Sequence, residues 1–239
     1  MIETSALYKE LFEQGGRFET HIQIEIANGQ YINFWDASIF SVNTVRDVFT
    51  SHNASVGNCV SSRISFQAIY PETRIPEMAK VRLSVRVRLG DRVSEEIPQG
   101  TFFIDTRKKE YVSGVQRLTV TGFDAMMLAE SDMDYNSISF PATTWAVVSN
   151  IATKLGVTVE EQTRQELVKL PYTISKPKDK YSQREILGFI ATMCLGNFVI
   201  TKDNKLKLVK TFGDPSTEPS VLIDENGAII TIGGDSILV

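Results

Sequence analysis

The feature that most constrains this chain is a strict alternation of apolar and polar residues that begins near Phe18. In Thr20-His21-Ile22-Gln23-Ile24-Glu25-Ile26 the isoleucines recur at every second position. That period puts them on one face of an extended strand and leaves the other face polar. Asn28-Gly29 follows, and both residues tolerate positive φ, which suits a two-residue hairpin turn. Tyr31-Ile32-Asn33-Phe34 reads as the return strand. Further strands are predicted at 38–48, 60–69, 81–89, 101–105 and 116–122. The clearest is Val81–Leu89, with apolar residues on one face and Arg82, Arg86 and Arg88 on the other. Pro71 and Pro76 mark a loop that cannot join a central strand. Six or seven short strands in about 110 residues predict a β-barrel or sandwich.

The pattern before and after this region is different. Leu7, Leu11 and Phe12 have helical spacing, and Gly15-Gly16 would end that helix. Asp124–Glu130 reads as one short helix closing the β-rich part, and Pro141 marks a boundary. Thr143 or Thr144 can cap a helix carrying Trp145, Val148, Ile151, Ala152 and Leu155, with Gly156 at its end. A strand at Val157–Val159 and a charged stretch, Glu160–Lys169, come next. Ser182 and Glu185 have capping-box spacing, and Ile186, Leu187, Ile190 and Met193 would face a core. Strands at 197–201 and 205–209 form a hairpin across Asp203-Asn204. Two more strands are expected at 221–223 and 228–232. The apolar Ile237-Leu238-Val239 suggests a chain cut short or a strand that pairs with a partner.

The chain of 239 residues has 42% hydrophobic residues, enough for one sizeable core or two modest ones. Its formal net charge of −4 argues against general nucleic-acid binding, which needs a basic footprint. No signal-peptide pattern opens the sequence and no apolar run approaches the ~18 residues of a membrane span. The expectation is a soluble chain made in a cytoplasm, without stable membrane insertion. Cys59 and Cys194, the two cysteines, make neither a disulfide framework nor a zinc site. Cys194 follows a helical apolar run and reads as a buried thiol.

Catalytic chemistry has little to work with. The two histidines are His21, on the polar face of a strand, and His52, in a loop. Neither has carboxylate or cysteine company at ligand spacing, and both read as surface residues. No Gly-x-Ser-x-Gly elbow and no phosphate-binding glycine loop is present. Asp132, Asp134, Glu95 and Glu96 read as solvated loop acids. Trp35 and Trp145 could serve a carbohydrate site only if exposed, and core burial is the simpler reading. The expectation is no enzyme, no cofactor and no metal. Two surface features remain. Lys176, Lys178 and Lys180 suggest a solvent-facing loop. The Arg82, Arg86 and Arg88 row is either a solvated face or a subunit interface in which arginines meet carboxylates.

Three stretches carry a resemblance. They are Ile97-Pro98-Gln99-Gly100-Thr101-Phe102-Phe103-Ile104-Asp105; Leu118-Thr119-Val120-Thr121-Gly122-Phe123-Asp124-Ala125-Met126-Met127-Leu128; and Tyr181–Ala191 with the Gly196–Ile200 strand after it. In order and spacing the chain resembles the baseplate hub proteins of phage and prophage tails, related to the T4 hub and encoded in Firmicute prophages. The resemblance spans residues 18–235. It implies an α+β, mainly β chain: a helical segment at 1–16, a tail-tube-like β-barrel at 17–135, a small α/β domain at 136–210, and the start of a second barrel, or partner-pairing strands, at 211–239. A complete second barrel would need more residues than remain. The family implies a homotrimer that joins the six-fold tail tube to the three-fold spike, with tube, distal tail and spike or tip proteins as partners. The virion tail is the implied location. Arg82, Arg86 and Arg88 would then contact a neighbouring subunit or the lumen. A distal tail protein, a receptor-binding adaptor and a cell-wall hydrolase are the competing readings.

Overall fold

The computed structural model describes residues 4–27, 29–49, 55–211, 231–232 and 235–236. Helix α1 (Ala6–Glu13) begins at Ser5, whose hydroxyl accepts the Tyr8 N–H at 3.1 Å, and it buries Leu11. Eight strands follow: β1 (Arg17–Ala27), β2 (Gln30–Trp35), β3 (Ile39–Val45), β4 (Arg63–Ile69), β5 (Lys80–Leu89), β6 (Arg92–Val93), β7 (Ile97–Val112) and β8 (Val115–Phe123). They form one sheet in the order β2-β1-β5-β7-β8-β4-β3, with β6 beside β5. Every pairing in it is antiparallel. The β1–β2 turn has the expected two-residue length, since Ala27 pairs with Gln30, and Gly29 takes the left-handed conformation at φ +76°. Asn28 lies outside the described residues.

Alternation sets which face is buried. Ile22, Ile24, Phe66, Val81, Phe102, Leu118 and Val120 are at most 1% exposed and belong to one core. Each large side chain buried this way stabilises the fold by roughly 1.5–3 kcal/mol relative to exposure. Ile32 and Phe34 from β2 and Ile39 from β3 join the same core, so the two ends of the sheet curl towards one another. The ladder does not close, however. A single 3₁₀ turn, Asp36–Ser38, carries the chain from β2 to β3, and among the described residues each of these strands pairs on one side only. The expected barrel is therefore an open, curled sheet. A register shift between Ile39 and Ser41 contributes, leaving Phe40 and Val42 exposed at the β3 edge.

Strand β7 is far longer than expected. Past Phe103 it leaves β5 behind and continues with β8 alone as a hairpin arm. The charged run Asp105–Glu110 conceals this extension in the sequence, because the arm projects beyond the core and has no buried face to pattern.

After β8, Asp124 caps a 3₁₀ turn, Ala125–Glu130, where one short helix was expected. A second 3₁₀ turn spans Tyr135–Ser137. The chain continues through β9 (Ala142–Thr143), α2 (Thr144–Lys154), β10 (Thr158–Val159), α3 (Glu161–Lys169), β11 (Thr173–Ile174), α4 (Gln183–Met193), β12 (Gly196–Ile200) and β13 (Lys205–Lys210). The Thr143 hydroxyl caps α2, accepting the Ala146 N–H at 3.2 Å. The Ser182–Glu185 capping box forms as the spacing predicts, with both reciprocal bonds present. Ile186, Leu187 and Ile190 of α4 are buried, but Met193 is 47% exposed, because α4 ends there and turns Phe189 and Met193 outward together. The charged stretch at 160–169 is helix α3, anchored by buried Leu167 and Thr163. Strands β10, β13 and β12 form a second sheet, with β10 parallel to β13. Two short pairs, β9 with β11 and β14 (Thr231–Ile232) with β15 (Asp235–Ser236), complete the ladders. Most of the two strands expected at 221–223 and 228–232 lies outside the described residues.

One segment between β3 and β4 crosses to this second sheet. Gly57 N–H donates to Gly196 O at 2.9 Å, Phe198 N–H donates to Asn58 O at 2.9 Å, and Cys59 bridges Phe198 in parallel. Cys59 consequently sits in the second core, with Val148, Ile151, Leu187 and Phe198.

Candidate subunit interface

The face of the sheet away from its core is built by parity. On β1 the odd residues point outward, on β5 the even ones and on β2 the odd ones. The register aligns Glu19 with Arg86, His21 with both Ser84 and Trp35, and Gln23 with both Arg82 and Asn33. The arginine row expected on one face of β5 is there, and its charge is largely answered within the chain. Glu19 receives Arg86 Nε at 2.9 Å and Arg88 Nε at 2.7 Å, with Arg17 at 3.4 Å. Burial pushes the Glu19 carboxyl up, and the three arginine hydrogen bonds outweigh it, so the group titrates below its ordinary range. Arg82 is the most open of the row. Its guanidinium lies 3.6 Å from Glu25 and donates to Tyr31 Oη at 3.3 Å.

His21 is the residue that sequence reasoning misplaced. It is 5% exposed, not a surface residue. Its ring stacks on Trp35 at a centroid distance of 3.8 Å and an interplanar angle of 5°. Nδ1 lies 2.9 Å from Glu96 Oε2, and Nε2 lies 3.0 Å from Asn33 Oδ1. Arg86 packs on the same indole at 3.9 Å, a cation–π contact. Trp35 is therefore half-buried on the polar face and does not enter the core. Glu96, expected to be solvated, also accepts the Ser84 hydroxyl at 2.6 Å. Burial raises its carboxyl, and the bonds from Ser84 and His21 with the charge of Arg86 bring it below the ordinary value. The signal that could have found this cluster is the shared parity of His21, Trp35 and Arg86, once the β2–β1–β5 order is known.

Chemically, this is a stiff surface whose charges are largely, but not fully, paired within the chain. Arg17, Arg82, Arg86 and Arg88 meet the carboxylates of Glu19, Glu25 and Glu96 in the plane, and the rings of Tyr31 and Trp35 brace them. The face's four arginines exceed its three carboxylates by one, an excess that a covering protein's carboxylate would answer. The other expected sites stay dispersed. Asp134 caps the 135–137 turn and lies 3.7 Å from Lys154, while Glu95 accepts from Ser5 at the start of α1. Lys176, Lys178 and Lys180 are exposed. Trp145 is partly buried against the second core. His52 lies outside the described residues. Among the described residues no group of three His, Cys, Asp or Glu side chains could hold a metal ion, and no helix is long and apolar enough to cross a membrane. Cys59 is buried and its thiol is pushed up to about 12 by desolvation. Cys194, read from sequence as a buried thiol, is partly buried at the end of α4, packed against the second core.

A 450 Å³ cleft lies where residues 56–60 meet α4, lined by Asn58, Cys59, Arg184, Gly188, Phe189 and Thr192. Arg184 spans the junction. Its Nη2 donates to Ser61 Oγ and Met126 O, both at 2.8 Å, and its Nη1 lies 3.1 Å from Glu130.

No protein-family model matches the chain, and no curated protein matches it. Among solved structures, it is similar to a 43 kDa tail protein of prophage MuSo2 from Shewanella oneidensis, at 15% identity and a TM-score of 0.49, over 81% of this chain and 56% of that one. It is also similar to a tail protein from Neisseria meningitidis MC58, at 12% identity and a TM-score of 0.49, over 84% of this chain and 52% of that one. The chain spans a little over half the length of each of these tail proteins.

Proposed function

We propose that this chain is a non-catalytic structural subunit of a phage-type tail and that it occupies the hub position between tail tube and spike. One observation carries the reading. The first two hub-like stretches are neighbouring strands of one hairpin, and the third, from Tyr181, joins them at a single junction. Phe103 of the first pairs with Phe123 of the second, and Met126 of the second accepts Arg184 of the third. Sequence features that resemble one family thus cooperate in one structural element: the joint between the curled sheet and the smaller α/β unit.

In this reading the β2–β1–β5 face meets a neighbouring copy, and Arg82 forms the new contacts. Arg86 and Arg88 hold the surface flat through Glu19. A ring of three requires that this face meet a different surface of the next copy, a heterologous contact that closes on itself. Light scattering of the purified chain across a concentration series tests the idea. A trimer near three times 26.7 kDa is expected, and Arg82→Glu should lower its apparent association constant by about tenfold. A mass of one chain at every concentration refutes self-association through this face. A hexamer favours a tube-like or distal-tail role.

A further inference from the structure

Three cations with no ion pair among the described residues lie together elsewhere. Arg17, Arg82, Arg86 and Arg88 each lie within 3.6 Å of a carboxylate oxygen. On the β7–β8 arm and the loop before β5 the pattern is different. Arg107 donates to the carbonyl of Pro76 at 2.5 Å, Lys109 lies over the Tyr70 ring at 4.5 Å, and Arg74 is exposed. These contacts orient two of the three without cancelling their charge, and none of the three has an ion pair among the described residues. Together with Lys108 they rim a cleft of about 430 Å³, in which Glu72 is the single acidic residue.

The cleft also borders an unused strand edge. β7 pairs with β5 only as far as Phe103, and the Ile104 N–H reaches Ala79 O at 3.0 Å. From Thr106 to Val112 its ladder partner among the described residues is β8 alone. A second opening of about 480 Å³ continues along this edge past Met78, and there Glu77 and Asp105 are the charged neighbours together with Arg107. An open edge offers alternating N–H and C=O groups to an added strand, and flanking side chains select what is added.

We infer that the Thr106–Val112 edge of β7 captures an extended acidic peptide segment of another protein by strand addition, with Arg74, Arg107 and Lys109 receiving its carboxylates. A polypeptide is favoured over a nucleic acid because the edge supplies main-chain partners and the cleft offers one aromatic ring, not a series of stacking platforms. Glu77 and Asp105 keep carboxylates away from Met78, and Glu110, the carboxylate on the arm itself, is answered by Lys108 at 2.8 Å, so the peptide's carboxylates sit at the arm end beside Arg74, Arg107 and Lys109. This inference does not rest on the tail reading.

Fluorescence anisotropy with a labelled acetyl-(Glu-Val)₄ amide probe tests it on the full chain. The matching (Lys-Val)₄ peptide and octathymidylate serve as comparators. The acidic peptide should bind at least about tenfold more tightly than either comparator. N-methylation of its Glu amides or of its Val amides should abolish binding in one of the two patterns, because only alternate amides face the edge. Arg74→Glu and Lys109→Glu should each weaken binding by about tenfold, while Lys178→Glu, the same charge change on a distant loop, leaves it unaltered. Both substituted side chains are exposed, so circular dichroism should match the unsubstituted chain. Equal binding of octathymidylate overturns the inference in favour of a polyanion site. Insensitivity to both N-methylation patterns, or equal loss in Lys178→Glu, also overturns it, as does absence of binding.

Discussion

Replacing Glu19 by Gln probes the ion network on which the outer face depends. The carboxylate accepts two short charge-assisted bonds, 2.7 Å from Arg88 and 2.9 Å from Arg86, and its side chain is 10% exposed. Hydrogen bonds to charged groups contribute roughly 1.5–3 kcal/mol each when buried. The arginine side chains are 21% and 35% exposed, so solvent screening reduces the pair to about 2 kcal/mol in total. In a chain of this size that loss corresponds to a fall in Tm of about 4–8 °C. The pH dependence has a definite sign. Glu19 titrates below its unfolded value of 4.5, so its contribution is fully present above that value and fades as pH falls through the folded one. The Tm difference between Glu19→Gln and the unsubstituted chain, measured by circular dichroism, should be full at pH 7 and shrink below pH 4.5. Equal Tm values at pH 7 would refute the reasoning, and so would a difference that persists unchanged in acid.

Three further outcomes are expected. Alanine at Gly188 would place a Cβ 2.9 Å from the Gly57 carbonyl oxygen; helix propensity alone would favour Ala by about 1 kcal/mol, and overpacking costs roughly 1–3 kcal/mol. Net destabilisation in urea titration is expected, and a more stable variant would mean that the two backbones can separate freely. In thiol labelling at pH 8 the native chain should react at Cys194 and not at Cys59, with both thiols labelled in denaturant; rapid native labelling of Cys59 would contradict its burial. Ser182→Ala, which removes the α4 capping box, should cost about 1 kcal/mol. No measurable change in the urea midpoint would show that this helix start is held by packing alone.

What the sequence disclosed follows from the range of the forces involved. The β1–β2 hairpin, the two faces of β5 and the start of α4 rest on neighbours within a few residues, and pattern alone suffices for them. Helix α3 escaped notice because only Thr163 and Leu167 anchor it, too few for an apolar stripe. Closure of the sheet depends on whether β2 and β3 meet edge to edge, which no local pattern encodes. The candidate face was half visible. Arg82, Arg86 and Arg88 stood out through their alternation, whereas His21 looked solvated because its partner Glu96 lies 75 residues away. A burial inferred from one strand's parity fails when a distant loop folds over that strand.

The segment that crosses from the curled sheet to the second one has a mechanical consequence. Residues 57–59 lie alongside β12, joined by Gly57 to Gly196 and Phe198 to Asn58, and Asn197 Oδ1 accepts the Asn58 N–H at 2.7 Å. Strands that run side by side in one direction resist tension along their length by sharing the load across all their bonds, which must give way together. Tension applied between the two sheets would load this seam in shear and not open it bond by bond. Unfolding single chains in an optical trap, with handles at Lys80 and Lys205, would measure how much force the joint transmits before it slips.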